Sequence, residues 1–193
     1  LQSAYSGGNK ITSVTTPAGL TTTNIYNADG FLAQTIDRPI GRTHAFGYTT
    51  DGLIGAYTNA LGLGLTASLD NLLRLTAAHF PDGTYVSNAF DKLDLGGFRD
   101  RLGHWTYYGH DGVRHLTIII NVNNAVTAYT WCGCGALESI VDALTKSASL
   151  DYDNQGRLTG VTCADASRLT YEVELSGRMT NFFEGAGRDL RLA

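Results

Sequence analysis

The amino-acid sequence predicts an all-β fold: tandem two-strand repeats of about 21 residues that form a curved or spiral antiparallel β-sheet. Three observations carry this. A motif of aromatic, polar turn, glycine and apolar residue returns at a nearly fixed step. The chain is rich in Gly, Tyr, Thr and Asn and poor in charge, a mixture suited to pleated strands joined by tight turns. Apolar residues before the turns follow strand spacing, two residues apart on one face.

The motif is clearest at Tyr152-Asp153-Asn154-Gln155-Gly156-Arg157-Leu158. It recurs from Tyr26 to Leu32, Tyr48 to Ile54, Tyr108 to Gly112 and Trp131 to Leu137, and from Val173 to Met179 without the aromatic. Weaker copies put Asn9, Leu73 and Asp94 in the glycine place after Tyr5, Leu69 and Phe90. The aromatic positions are then 5, 26, 48, 69, 90, 108, 131, 152 and 173, about nine repeats, so residues 1-193 read as a single array without a separate catalytic domain. A second punctuation falls half a period later, at Pro17-Ala18-Gly19, Pro39-Ile40-Gly41, Ala60-Leu61-Gly62, Pro81-Asp82-Gly83, Arg101-Leu102-Gly103 and Ala186-Gly187. Each unit therefore has two turns and two strands.

Glycine at the end of an Asn- or Asp-containing turn supplies positive φ without a Cβ clash, which lets the chain reverse. Before the turn, Phe46 and Tyr48, Tyr129 and Trp131, and Leu150 and Tyr152 share a face and build an aromatic stripe. After it, apolar residues fall two and five places from the glycine, as in Leu158 and Val161 or Met179 and Phe182. That spacing breaks simple alternation and predicts a bulge or strong twist. Residues 136-146 carry helix-like apolar spacing, but the repeat phase, which sets Ile140 in the place of Val161 and Phe182, assigns them to a strand.

Composition limits the function classes. The chain is 43% hydrophobic, with a formal net charge of -4 and Lys and Arg scattered singly, so it lacks the basic patch that phosphate neutralisation requires, and nucleic acid is not an expected partner. The longest apolar run, Thr117-Ile118-Ile119-Ile120, is strand-sized and gives no membrane span. The first residues, Leu1 to Asn9, show neither an initiator Met nor a signal-peptide layout, so the chain reads as a processed or excised piece.

The Tyr-Asp-x-x-Gly-Arg-Leu unit at Tyr152 to Leu158, with its copies along nearly the whole chain, resembles the YD repeat of Rhs and teneurin-type proteins. The resemblance implies a β-sheet that spirals into a hollow shell within large secreted or cell-surface proteins. In bacteria such shells often enclose a C-terminal toxin, and the animal relatives act in adhesion. Two departures stand out: the chain has no Asp-Pro of the kind that closes the bacterial shells, and no toxin-sized segment outside the repeats. It is expected to be a wall segment completed by the rest of a larger parent chain, or one that self-associates through open sheet edges.

Most motifs with a chemical rhythm coincide with the repeat turns. Gly62-Leu63-Gly64-Leu65-Thr66-Ala67 is a loose dinucleotide fingerprint, but Gly62 is already a turn glycine. Asp151 to Gly156 opens like an EF-hand loop, yet Thr162 stands where a bidentate Glu is needed. Neither a nucleophile elbow nor a phosphate loop occurs, and of the carboxylates Asp51, Asp82, Asp111, Glu138 and Asp153, only Asp82 and Glu138 lie outside the recurring first turn. No catalytic residue and no cofactor are therefore assigned.

Cys132-Gly133-Cys134 is the exception. Aligning the repeats sets Cys132 and Cys134 over Gly109 and Asp111, with His110 in the adjacent turn, and thiolate plus imidazole can hold zinc. Pairing of Cys163 with one of the two, and inert thiols, are the other readings. The leading function is a structural scaffold, a shell wall or stalk that encapsulates or presents a toxin or other payload. A carbohydrate-binding or adhesion module, with Tyr and Trp stacking on glycans, is the alternative, and a polysaccharide hydrolase is the third.

Overall fold

The structure, a computed structural model, describes residues 1–174, 176–185 and 188–191, the last four by backbone alone. All regular elements among them are strands. The chain divides into two units, Leu1–Ala89 with Arg99–His104, and Phe90–Phe98 with Trp105–Ala193. The first contains β1 (Gln2–Tyr5), β2 (Ile11–Thr15), β3 (Thr21–Tyr26), β4 (Leu32–Arg38), β5 (Arg42–Tyr48), β6 (Ile54–Thr58), β7 (Gly64–Leu69), β8 (Leu75–His79) and most of β9 (Tyr85–Asp91). The second contains most of β10 (Asp94–Arg99), then β11 (Trp105–His110), β12 (Leu116–Ile120), β13 (Val126–Trp131), β14 (Leu137–Val141), β15 (Ser147–Tyr152), β16 (Leu158–Thr162), β17 (Arg168–Val173), β18 (Met179–Glu184) and β19 (Arg188–Arg191). From β1 to β9, and from β11 to β19, each strand pairs antiparallel with the next. No helix is long and apolar enough to cross a membrane.

One loop geometry joins nearly all of these strands. At Asp153 the backbone N–H donates to the Arg157 carbonyl (3.0 Å) and the Gly156 N–H donates to the Asp153 carbonyl (2.9 Å). This is a type I turn closed by a left-handed residue, the three-residue hairpin loop with a G1 bulge. The same pair of bonds closes the loops that start at Thr16, Asn27, Thr49, Asn59, Phe80, Asp100, Cys132 and Glu174, with glycine at the positive-φ position. In other loops that position is held by Asn9, Leu73, Arg114, Asn124, Thr145 and Ala166, with φ between 57° and 73°.

After the first turns of eight repeats the register slips. Tyr26 pairs with Leu32 while Ile25 pairs with Gln34, so Ala33 is the extra residue; likewise Tyr152 pairs with Leu158 and Asp151 with Gly160, leaving Thr159 bulged. The expected bulge is therefore real, and it explains the two-and-five spacing: one extra residue inverts the alternation, so Leu158 and Val161 lie on the same face. Threonine suits the bulge. Thr76, Thr117, Thr159 and Thr180 each donate the side-chain hydroxyl to a carbonyl of the preceding strand at 3.0–3.2 Å.

The two faces differ in kind. One carries Phe46 opposite Tyr57 and Ala67 opposite Ala78 in the first unit, and Tyr129 opposite Ile140, Leu150 opposite Val161 and Tyr171 opposite Phe182 in the second. The other carries small and polar pairs such as Gly47 with Ala56, Thr130 with Ser139 and Glu172 with Asn181. Even on the apolar face burial is incomplete: among the described residues Ala78, 7% exposed, is the only buried hydrophobic side chain. A compact monomer of 20.7 kDa would expose roughly 8,900 Å². This chain exposes 12878 Å².

Residues 136–146 form β14, the strand that the repeat phase required, and then a turn from Asp142 to Lys146 that it did not mark. Two phase assignments need correction. The residue before the turn in β11 is His110, not Tyr108, because the left-handed position is Arg114 (φ 73°) and not Gly112. At the faint copy after Phe90, the positive φ falls on Lys92 (φ 53°), and Asp94 is already the first residue of β10. The first error came from Gly112, which drew the turn two residues early, and the second from fitting one loop length to every unit, whereas the chain passes from β9 to β10 through Lys92 and Leu93 alone. The expected turn at Ala186-Gly187, and Leu175 of the last copy, lie outside the described residues.

Candidate functional site

The chemistry-bearing side chains gather where the first turns of successive repeats follow one another. At the opening position of the loop, one oxygen of Asp70, Asp111 or Asp153 accepts the backbone N–H groups two and four residues ahead, at 2.8–3.0 Å. Donors aimed at a carboxylate favour its charged form. Asp153 is accordingly held below the usual 3.8 by the Arg157 backbone N–H and by its guanidinium, and Asp70 by the Arg74 side chain and backbone. In Asp111, burial pulls upward first, but the N–H donors of His115 and Val113 outweigh it. Asp111 and Asp153, two of the carboxylates that the sequence offered for hydrolysis, are thus engaged in closing their own turns.

Side chains also link one repeat to the next along this edge. The Tyr26 hydroxyl donates to the Ile11 carbonyl (2.9 Å), Tyr48 to Leu32 (2.9 Å) and the Trp131 indole N–H to Leu116 (2.8 Å). After two of these turns the next residue stacks on the following aromatic: Phe31 on Tyr48 at 4.8 Å and His115 on Trp131 at 4.6 Å between ring centroids. The polar ends of Tyr26, Tyr48 and Trp131 are therefore committed to neighbouring backbone.

In the second unit the edge encloses a hollow of about 350 Å³, lined by Asp91, Leu93, Asp94, Tyr108, His110 and Arg114 among others. Arg114 donates to Asp94 Oδ1 (2.8 Å), which lowers the acid and raises the base. His110 adds a smaller downward pull on Asp94.

The structure places the candidate metal ligands differently from the sequence alignment. Cys132 takes the loop position of Asp111, not that of Gly109, and His110 aligns with Trp131 one residue earlier. Cys132 and Cys134 are joined to each other as a disulfide with Cα atoms 5.1 Å apart, and Cys163 remains a thiol. Among the described residues no three His, Cys, Asp or Glu side chains are arranged to hold a metal ion. The structure gives His115 partners that the sequence did not assign to it: it bonds Asp111 Oδ2 through Nδ1 (3.0 Å) and stacks on Trp131. The available signal was its place four residues after Asp111, where Arg74 and Arg157 bond Asp70 and Asp153.

No family model matches the chain, and no curated protein matches it in sequence. Solved structures do match. A crystal structure of TcdB2-TccC3-TEV superposes with a TM-score of 0.72 at 12% identity over 95% of this chain. The Photorhabdus luminescens Tc holotoxin pore gives 0.72 at 13% over 93%, and TcdB2-TccC3 without its hypervariable C-terminal region gives 0.71 at 12% over 94%. This chain is similar to them in fold, and it spans only 11% of the length of each matched chain.

Proposed function

We propose that this chain is a structural scaffold, a length of shell wall from a secreted or cell-surface protein of the YD-repeat, Rhs type, which encapsulates or presents a toxin or other payload and performs no catalysis of its own. It forms one array of about nine two-strand repeats continued by a larger parent chain. The observation that carries the reading is the uncovered apolar face: a domain ordinarily buries such a face under a second layer, and here one buried hydrophobic side chain serves the described residues. Likeness in fold to chains of a Tc holotoxin, of which this one equals about a tenth, supports a wall segment within a large toxin assembly.

The reading predicts that the isolated chain associates through its apolar face. Sedimentation should show concentration-dependent oligomers that bind a hydrophobic dye, and Phe46→Lys or Tyr171→Lys should shift them to monomer while Thr130→Lys on the polar face does not. Circular dichroism reports whether each variant keeps its strands. A chain that stays monomeric and dye-free at high concentration overturns the proposal.

A further inference from the structure

The Cys132-Gly133-Cys134 turn has no role in the scaffold that an ordinary turn residue would not fill. Cys132 occupies the loop position at which Asp70, Asp111 and Asp153 each accept two backbone N–H groups, and its Sγ receives the same two, from Cys134 at 3.1 Å and Ala136 at 3.3 Å. Elsewhere that position holds a carboxylate or a neutral amide, with Asn59 and Asn121 accepting the same two N–H groups, so it is built for an acceptor, and the thiolate is the form of the Cys132 sulfur that accepts best. Cys134, by contrast, lies exposed at the tip of the turn, as does Gly133.

We propose that Cys132-Gly133-Cys134 is a thiol–disulfide exchange site for small thiols and exposed dithiols, in which Cys134 is the attacked sulfur and Cys132 the leaving thiolate. The thiolate of an incoming thiol forms a bond to Cys134 Sγ and breaks the Cys132–Cys134 bond, and the electron pair departs on Cys132 Sγ, where the two N–H groups receive it. A second thiol then attacks the mixed disulfide and releases Cys134. The balance is one protein disulfide and two thiols giving one protein dithiol and one external disulfide. A leaving sulfur that is stable as its anion leaves faster, which fixes the order of events. Beside the site lies the Asp111–His115 pair of the preceding repeat, whose His115 Nε2 is 3.9 Å from the place of a Cβ on Gly135. Cys163 provides the internal reference: it opens the same kind of loop, closed by the same backbone bonds, but is a thiol without a Cys partner.

The test uses the full chain. In Cys163→Ala, intact mass should show two hydrogens gained on treatment with reduced glutathione, and in Cys163→Ala with Cys132→Ser, oxidised glutathione should leave one glutathionyl group on Cys134 and release one reduced glutathione. With Cys134→Ser in the Cys163→Ala background, iodoacetamide should label Cys132 at about pH 6 at least about ten-fold faster than it labels Cys163 in a chain carrying Cys132→Ser and Cys134→Ser, the ratio that one unit of thiol pKa gives. Cys132→Asp should abolish exchange and keep the strand spectrum and unfolding midpoint, because a carboxylate accepts the same two N–H groups. Equal labelling rates, no mass change, or unfolding of Cys132→Asp would each overturn the proposal.

Discussion

Two glycine substitutions separate the turn phase that the structure shows from the one that the sequence suggests. Gly156 has φ 75° and Gly112 lies outside the left-handed region, and a Cβ built on either meets nothing within 4 Å. Steric contact is thus matched and only backbone conformation differs. An L-residue held left-handed costs about 1–2 kcal/mol, while alanine returns about 0.4–1 kcal/mol by restricting the unfolded chain. Gly156→Ala should therefore lose about 1 kcal/mol. Gly112→Ala pays no left-handed cost and should gain about 0.5 kcal/mol.

Urea unfolding followed by far-ultraviolet circular dichroism and Trp fluorescence measures both. With a slope of about 2 kcal/mol/M, the two variants should fall on opposite sides of the parent, separated by about 0.7 M in midpoint. If Gly112→Ala loses as much as Gly156→Ala, then Gly112 closes the turn, the β11 phase returns to Tyr108, and the alignment of Cys132 with Asp111 fails with it.

Thr145→Gly is the converse experiment: a β-branched residue at φ 63° is relieved, and a gain of about 0.5–1 kcal/mol in the same assay is expected although its hydroxyl bond to the Leu144 carbonyl is lost. Tyr48→Phe keeps the ring on Phe31 but removes the bond to the Leu32 carbonyl, costing about 1 kcal/mol; an unchanged midpoint would mean that the inter-repeat bond contributes nothing. Asp70, Asp94, Asp100 and Asp153 sit below 3.8 in the folded chain, so their contribution is complete above the unfolded value and disappears as pH falls through the lowered ones; a dichroism titration from neutral to strongly acid should show stability falling below about pH 4, and a rise there would contradict the turn geometry. Deleting residues 132–152, one whole unit, should leave a folded chain, whereas deleting 132–141, one strand and its turn, should abolish cooperative unfolding; equal damage from the two would refute the repeat as the folding unit.

The fold was legible because the strongest determinants are local. An aromatic, an Asx residue and a glycine at fixed offsets specify the loop almost alone, and Asn9 and Leu73 were identified in the glycine place from phase despite lacking glycine's freedom. Legibility failed where phase and glycine disagreed. Gly112 displaced the turn from Arg114, and the second turns ending at Asn124, Thr145 and Ala166 escaped notice because nothing in those residue types announces a left-handed backbone. The site was less legible than the fold. Cys132 was visible as an oddity, but its function as a turn acceptor follows only once its register is set beside Asp111 and Asp153.

The bulge explains why the unit is two strands and not one. In a hairpin without it, side chains that start on the apolar face before the turn would be followed by strict alternation, and Val161 would point to the small-residue face while Gly160 took the apolar one. The extra residue at Thr159 restores parity, so that Leu150 meets Val161 and the buried Gly160 lies opposite Asp151. There a Cβ would stand 3.1 Å from Asp151 Oδ2 and 3.0 Å from the Arg168 guanidinium, so the glycine leaves room for the Asp151–Arg168 contact. The second hairpins carry no such slip: Val161 pairs with Leu169 and Thr162 with Arg168 in unbroken order. Within each unit, bulged and unbulged hairpins therefore alternate. A sheet grown this way gains backbone bonds from each strand it adds, yet covers its apolar face with none of them.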